Sequence, residues 1–422
     1  MKKLLKGTII PVSDKFEKEF DGYVLIEDDK ILSVSADKPV GETDEYFDFS
    51  GMAIMPGLVN THTHASMTLL RGVADDLPLH RWLHEEIFPR EEKLTSEMIY
   101  WGAKHAIAEM LRGGTTCFAD MYFMMDEVGR AVTECGIKAN LSEGMTMYAD
   151  EDRLKSKMEF PLKWGEKTNG RIKTMLGPHA IYTCPPDFME KVIEQAHKHN
   201  VPIHMHVSET KKEVDDCVKS YGMSPPELLD KLGAFNGHFL AAHCVYLTKN
   251  DRELFKQKGV FCALNTSSNF KLASGIASIF EMEREGLNLS IGTDGTASNN
   301  DLDMLEEMRW TSFAAKSKGE PTALPATRAL RMATADGARA LGFDDIGSIE
   351  PGKKADIVVV DFSAAHMQPC FSKISHLVNC AHTSDVLHVL IDGEFVVKNR
   401  KIQTFDEKET SDMVVKFAQE LA

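Results

Sequence analysis

The stretch Ala53-Ile54-Met55-Pro56-Gly57-Leu58-Val59-Asn60-Thr61-His62-Thr63-His64 runs apolar and then closes on two histidines. In an extended strand, residues two apart share a face, so His62 and His64 can offer both imidazoles to one metal. Pro56-Gly57 restricts the backbone just before them. Neutral imidazole suits zinc and its first-row neighbours. Two ligands do not complete a site, so the rest of the chain has to supply others.

Seven more short β-prone runs follow, at 115–121, 137–145, 171–177, 201–207, 239–246, 260–265 and 287–293; with 54–61 they make eight. Stretches that can be helical lie between them, including Ser96–Arg112, Asp126–Cys135, Pro186–Asn200, Asp251–Lys258 and Ile276–Glu285. Strands alternating with helices imply a parallel sheet with crossover connections. Eight such units fit an α/β fold of the (β/α)8 TIM-barrel type, about 250 residues in size. A doubly wound open sheet is the alternative, but no GxGxxG follows the first strand. Outside the eight runs, Tyr23–Ile26, Lys30–Val34, Asp356–Val360 and Val386–Ile391 are β-rich, and Asp392-Gly393 reads as a hairpin turn. The expectation is a metal-dependent barrel over 56–349. Residues 1–55 and 350–422, with a helix at the C-terminal end, then build one small β-sandwich domain from both termini.

Ligand-type residues sit at the ends of these runs: His62 and His64 after the first, His179 after the fourth, and His206 and Glu209 after the fifth. His243 ends the sixth and Asp294 the eighth. In a (β/α)8 barrel, catalytic groups collect at that face. His204-Met205-His206 is a second His-x-His, in which either imidazole could face inward. Glu209, three residues on, favours His206. A carboxylate at the mouth of a buried strand is costly unless paired or metal-bound, which favours a ligand role for Asp294. Its bland reading, like that of His243, is a residue that merely starts a turn. The fourth run carries no lysine at its mouth, so a bridging modified lysine has no donor there and a single metal is expected. His84, His105, His197, His199 and His238 are given no role. The Met-rich segment Met121–Met125 reads as core filling, and Gly113-Gly114 as a helix stop.

The net charge is 48 − 64 = −16. An acidic surface disfavours the polyanions, nucleic acid and anionic membrane, as partners. A small-molecule substrate remains, and self-association is left open. The eight cysteines form no CxxC pair and suit buried free thiols in a reducing compartment. Lys2-Lys3 are followed by no long apolar core, so no signal peptide is expected. Nor does any run reach the roughly 18–20 apolar residues of a membrane span. A cytoplasmic protein is the expectation.

Pro56–His64, Gly292-Thr293-Asp294-Gly295 with Ser298-Asn299-Asn300, and Gly347–Ile357 together resemble the signatures of the amidohydrolase superfamily. Within it the chain looks most like the 5-methylthioadenosine/S-adenosylhomocysteine deaminases. The resemblance spans nearly the whole chain. It implies one divalent metal, Zn2+ by default with Fe2+ or Mn2+ as alternatives, held by residues matching His62, His64, His206 and Asp294. Glu209, His243 and Asp294 match the family's catalytic groups. Glu91 matches its ribose-diol ligand, and Arg153 and His179 match substrate contacts. The implied reaction is hydrolytic deamination of the 6-amino group of adenosine-type nucleosides. The chain departs from the family at Glu143, which stands where an arginine is usual. An acid there repels a substrate carboxylate. The expected substrates are therefore 5′-methylthioadenosine, adenosine and 5′-deoxyadenosine, with S-adenosylhomocysteine disfavoured. The runner-up is an enzyme of the same fold acting on a free aminopurine or a triazine, as guanine deaminase or chlorohydrolases do. A metal-binding barrel without catalysis is the reading from another class.

Overall fold

The computed structural model describes residues 1–13, 18–147, 151–164, 168 and 170–421, with the backbone alone at 151–153. The eight apolar runs form eight strands: Leu58–Thr63, Thr115–Tyr122, Lys138–Met145, Ile172–Pro178, Ile203–Val207, Phe239–His243, Phe261–Leu264 and Asn288–Ile291. They pair in chain order, and every pairing is parallel. The first and eighth strands meet along a seam held by mixed hydrogen bonds. Asp294 N donates to His62 O at 2.9 Å, and Thr61 Oγ1 donates to Ile291 O at 2.9 Å. The Asn60 amide accepts from Thr293 N at 3.0 Å and donates to Thr293 Oγ1 at 2.7 Å. This is the near-closed barrel that the alternation of runs implied.

Local chemistry sets where the crossover helices start and stop. Helix Ser96–Arg112 is capped by Thr95, whose hydroxyl accepts from Met98 N, and it buries Ile99, Ala103, Ala106, Ile107 and Met110 on one face. Gly114 (φ 87°) then turns the chain into the second strand, a left-handed conformation that glycine adopts without steric cost. Helix Lys249–Lys258 begins in a capping box between Thr248 and Asp251 and ends at Gly259 (φ 69°).

The two ends of the chain pool their strands in a second eight-stranded sheet. Its spatial order is Lys401–Ile402, Glu394–Lys398, Val386–Ile391, Ile357–Val360, Glu45–Pro56, Lys2–Ile9, Phe20–Glu27 and Lys30–Ser35. Ile357–Val360 pairs antiparallel with the end of Glu45–Pro56, so the two termini are stitched edge to edge. The sheet encloses its own core of Leu5, Ile9, Val24, Ile26, Ile54, Ile357 and Val359. Asp392 (φ 50°) and Gly393 (φ 77°) make the hairpin turn read from the sequence. Helix Glu407–Leu421 follows the sheet in the chain but lies against barrel helix Ser96–Arg112, with Arg112 Nη1 bonded to Glu407 Oε1 at 2.7 Å. Cys117, Cys135, Cys184, Cys217, Cys244 and Cys262 are buried free thiols. Among the described residues no helix is long and apolar enough to cross a membrane.

Sheet and barrel are joined by a buried ion cluster. Lys138, at the start of the third barrel strand, donates to Asp356 Oδ1 and Oδ2 at 2.7 and 2.8 Å and to Asp392 Oδ1 at 2.7 Å. Arg171 Nη2 holds the other Asp392 oxygen at 2.7 Å. The Lys138 and Asp356 side chains are 4% and 1% exposed, so water cannot replace either partner. Removing the cation leaves the buried Asp356 carboxylate without its ion-pair partner, while Asp392 keeps Arg171. Lys138→Met is expected to destabilise the fold by about 3–5 kcal/mol, seen as a lowered denaturation midpoint by circular dichroism. A midpoint within error of the wild type would show that the joint tolerates the loss.

Candidate metal centre and active site

The ends of the first, fifth, sixth and eighth strands bring His62, His64, His206, His243 and Asp294 into one buried cluster. The ligand atoms of His62, His64 and Asp294 lie within 4.8 Å of one another, as do those of His62, His206 and His243. Several of these turns require unusual backbone. Ser208, His243, Cys244 and Asp294 all have positive φ, between 54° and 72°. Such residues cluster where a fold holds functional side chains in place. Gly292, just before Asp294, sits so close to the first strand that a Cβ would stand 2.6 Å from His62 N, and no larger residue fits.

Each imidazole is held by its Nδ1. His64 Nδ1 is bonded to Met121 O, at 2.5 Å, and His206 Nδ1 to His179 O at 2.8 Å. His243 Nδ1 meets Asn269 Oδ1 at 2.9 Å. His62 Nδ1 meets His204 Nε2 at 2.9 Å. The Nε2 atoms are thereby left to face the cluster: His206 Nε2 is 3.3 Å from His64 Nε2, and Asp294 Oδ1 is 3.2 Å from His64 Nε2 and 3.5 Å from His62 Nε2. His62 Nε2 is fully buried and without a hydrogen-bond partner. An orphaned imidazole nitrogen beside a carboxylate and two more imidazoles is the donor set of a divalent-metal site, and these residues fit one.

Electrostatics agree with that reading. Burial pushes His62 down to about 4 and His206 well below its ordinary value, which keeps both neutral and able to ligate. Burial also lowers His64, but the Asp294 carboxylate beside it outweighs this and lifts it to about 9. Burial works to raise Asp294, yet the His62 and His64 imidazoles beside it hold it well below the usual carboxylate range. Imidazole ligates in its neutral form, so a proton on His64 competes with a metal ion for the same nitrogen. Asp294 is further oriented by Ser268 Oγ and Ser298 Oγ on Oδ2, at 2.6 and 2.9 Å.

Glu209 lies at the edge of the cluster, 3.9 Å from His243 Nε2, and accepts from Ser274 Oγ at 3.1 Å. Burial raises its carboxyl, which favours a bound proton. Its backbone is fixed by Glu213, whose two oxygens accept from Ser208 N and Glu209 N at 2.9 and 2.8 Å. His179 packs against His206, ring centroids 4.8 Å apart, and its Nδ1 meets Thr183 Oγ1. Glu91 is tied to the centre through Tyr122, whose hydroxyl donates to Glu91 Oε1 at 2.7 Å while its ring sits 6.2 Å from that of His64. Arg153 falls on helix Glu151–Trp164, and its side chain lies outside the described residues. Glu143 accepts from Met124 N and Met125 N at 3.2 and 2.9 Å, capping helix Met125–Cys135, and stands 3.8 Å from Lys157 Nζ.

His204, the other imidazole of the second His-x-His, packs against His62, as the choice of His206 for the cluster implies; the sequence pattern missed the other groups that hold these side chains: Ser268, Asn269, Tyr122 and Glu213. One of them carried a signal. Thr210-Lys211-Lys212-Glu213 has the spacing of a helix start, directly after Glu209. The others became visible only when the strands were assembled.

The Amidohydrolase family matches residues 53–396. The 5-methylthioadenosine/S-adenosylhomocysteine deaminase of Syntrophomonas wolfei is 47% identical over 408 residues, covering 95% of each chain. An adenosine deaminase structure from Xanthomonas campestris with bound zinc superimposes with a TM-score of 0.95 at 36% identity, covering 99% of this chain and 98% of that one. A zinc complex of atrazine chlorohydrolase from Arthrobacter aurescens shares the fold, with a TM-score of 0.89 at 24% identity and 99% coverage of both chains. His62→Ala is expected to weaken Zn2+ binding in equilibrium dialysis by more than the roughly 10–100-fold that losing a ligand's hydrogen-bond partner costs. Undiminished binding would remove His62 from the centre.

Proposed function

The chain belongs to the amidohydrolase family, and on that premise we propose that it hydrolyses the 6-amino group of adenosine-type nucleosides, releasing ammonia and the inosine analogue. It is a hydrolase acting on C–N bonds of cyclic amidines. The observation that carries the reading is the convergence of His62, His64, His206, His243, Glu209 and Asp294 on one buried space. We assign metal binding to His62, His64, His206 and Asp294, and take the ion to be zinc. When bound, it supplies Lewis acidity that brings the pKa of water toward neutrality.

The chain's own groups account for the proton movements. Asp294, an ionised carboxylate oriented by two serines, accepts a proton from the attacking water. Glu209, whose carboxyl is raised by burial, delivers a proton to purine N1 and makes C6 electrophilic. His243, its Nδ1 held by Asn269, turns Nε2 toward the same space and orients the water. Attack at C6 gives a tetrahedral carbon; Glu209, ionised after protonating N1, takes the proton of the new C6 hydroxyl and passes it to the amine, which departs as ammonia while the C6 carbonyl forms, and Asp294 then releases its proton to solvent as Glu209 regains one. Glu91, fixed by Tyr122, receives the ribose diol, and His179 flanks the purine. Arg153 is assigned to the substrate pocket by family resemblance alone. Glu143, engaged as a helix cap, sets a carboxyl group where the family usually has an arginine, so nucleosides without a carboxylate at the 5′ end are the preferred substrates.

Purified, metal-replete protein is expected to release ammonia from 5′-methylthioadenosine, adenosine and 5′-deoxyadenosine faster than from S-adenosylhomocysteine. Absence of turnover with every 6-aminopurine nucleoside would refute the reading. Glu209→Gln should lower kcat by roughly 10²–10⁴-fold. Glu91→Ala should cut kcat/KM for nucleosides while leaving any activity on free adenine or guanine unchanged. An equal loss on both would remove the diol contact from Glu91.

A further inference from the structure

His204 has no place in the metal set and none in the proton movements above, yet it is fully buried beside the centre. It shares an inward face of the fifth strand with His206, two residues on. Its Nε2 lies 2.9 Å from His62 Nδ1, with the two rings edge to face at 4.9 Å and 85°. Its Nδ1 lies 3.3 Å from Ser142 Oγ on the third strand. Ser142, His204 and His62 thus form a file across the barrel interior. They come from the first, third and fifth strands, and alternate strands are the ones that share a layer inside such a barrel.

We propose that His204 is a positioning residue for the metal centre: it accepts the Nδ1 proton of His62 and so commits His62 Nε2 to the cluster as a lone pair. The inference rests on the metal-centre reading above. A neutral imidazole has one N–H and one acceptor nitrogen. For His62 to ligate through Nε2, its proton must sit on Nδ1. His204 Nε2 is then the acceptor, and its own proton must sit on Nδ1, facing Ser142 Oγ. All the hydrogen positions in the file follow from that one choice. The opposite choice puts a proton on His62 Nε2, pointing at Asp294 Oδ1 3.5 Å away and filling the space in which that nitrogen would offer a lone pair to the ion. The other imidazoles of the cluster are anchored by backbone carbonyls or an asparagine; His62 alone depends on another titratable ring.

The test compares wild type, His204→Leu, His204→Gln and Ser142→Ala. Zn2+ affinity is measured by competition with a chromophoric chelator, and the Co2+-substituted proteins are compared by their visible d–d spectra. Thermal melts of the metal-free proteins report folding. His204→Leu should weaken Zn2+ binding by roughly 10–100-fold and alter the Co2+ spectrum. His204→Gln, which can place an amide oxygen as acceptor, should recover part of that loss, and Ser142→Ala should cost only a few-fold. A folded His204→Leu with affinity within twofold of wild type and an unchanged Co2+ spectrum overturns the proposal. If His204→Leu does not fold, His204→Gln and Ser142→Ala decide: wild-type affinity and spectrum in both overturn it, and graded losses support it. Wild-type protein that binds neither ion overturns the metal reading, and this inference with it.

Discussion

The hydrogen bond from Asp294 N to His62 O, 2.9 Å long, joins the last barrel strand to the first at the level where the ligand-type side chains emerge. Parallel strands cannot pair through tight turns, so each of the eight arrives separately through a crossover helix. Only when the ring meets at this seam do His62 and Asp294, 232 positions apart by 294 − 62, become neighbours. The buried polar ladder of Asn60, Thr61, Thr293 and Ser290 makes the junction specific, because a slip of one residue would leave those groups unpaired in a dry interior. Cluster geometry and barrel closure are therefore one event.

The centre itself is built on a division of labour within each imidazole. One nitrogen is spent on the protein and the other faces the cluster. Backbone carbonyls of Met121 and His179, an asparagine and a histidine do the holding. Fixing ring orientation in advance reduces what binding must cost in side-chain ordering. The same logic extends to Asp294, Glu209 and Glu91, each steadied by hydroxyl or backbone donors.

Much of this was legible in the residues. The 2-residue period at His62 and His64, the eight apolar runs and the ligand-type residues at five of their mouths follow from local rules; the runs imply the barrel, and the residues point to one of its faces. The C-terminal limit of Ser96–Arg112 was readable because Gly113-Gly114 is an explicit stop signal. His204 against His206 was not decidable, since both point inward; which of them faces the cluster depends on where the first and third strands lie. Ser268 and Asn269 were hidden for a similar reason, as they belong to a short helix, Thr266–Lys271, that gains meaning only beside Asp294 and His243. Nor does periodicity show that the terminal helix leans on the barrel, because an amphipathic stripe states that something covers it but not what.

The pairing of Glu45–Pro56 with Ile357–Val360 has a consequence for how the molecule is made. On the ribosome, the N-terminal strand emerges about 300 residues before its neighbour. At 5–20 residues per second this leaves one edge of a growing sheet bare for roughly 15–60 s. That edge includes Ala53, Ile54 and Met55, all apolar, and it is a template for wrong partners until Ile357–Val360 arrives. Nascent-chain chaperoning, rather than final stability, is where such an architecture is most exposed to failure.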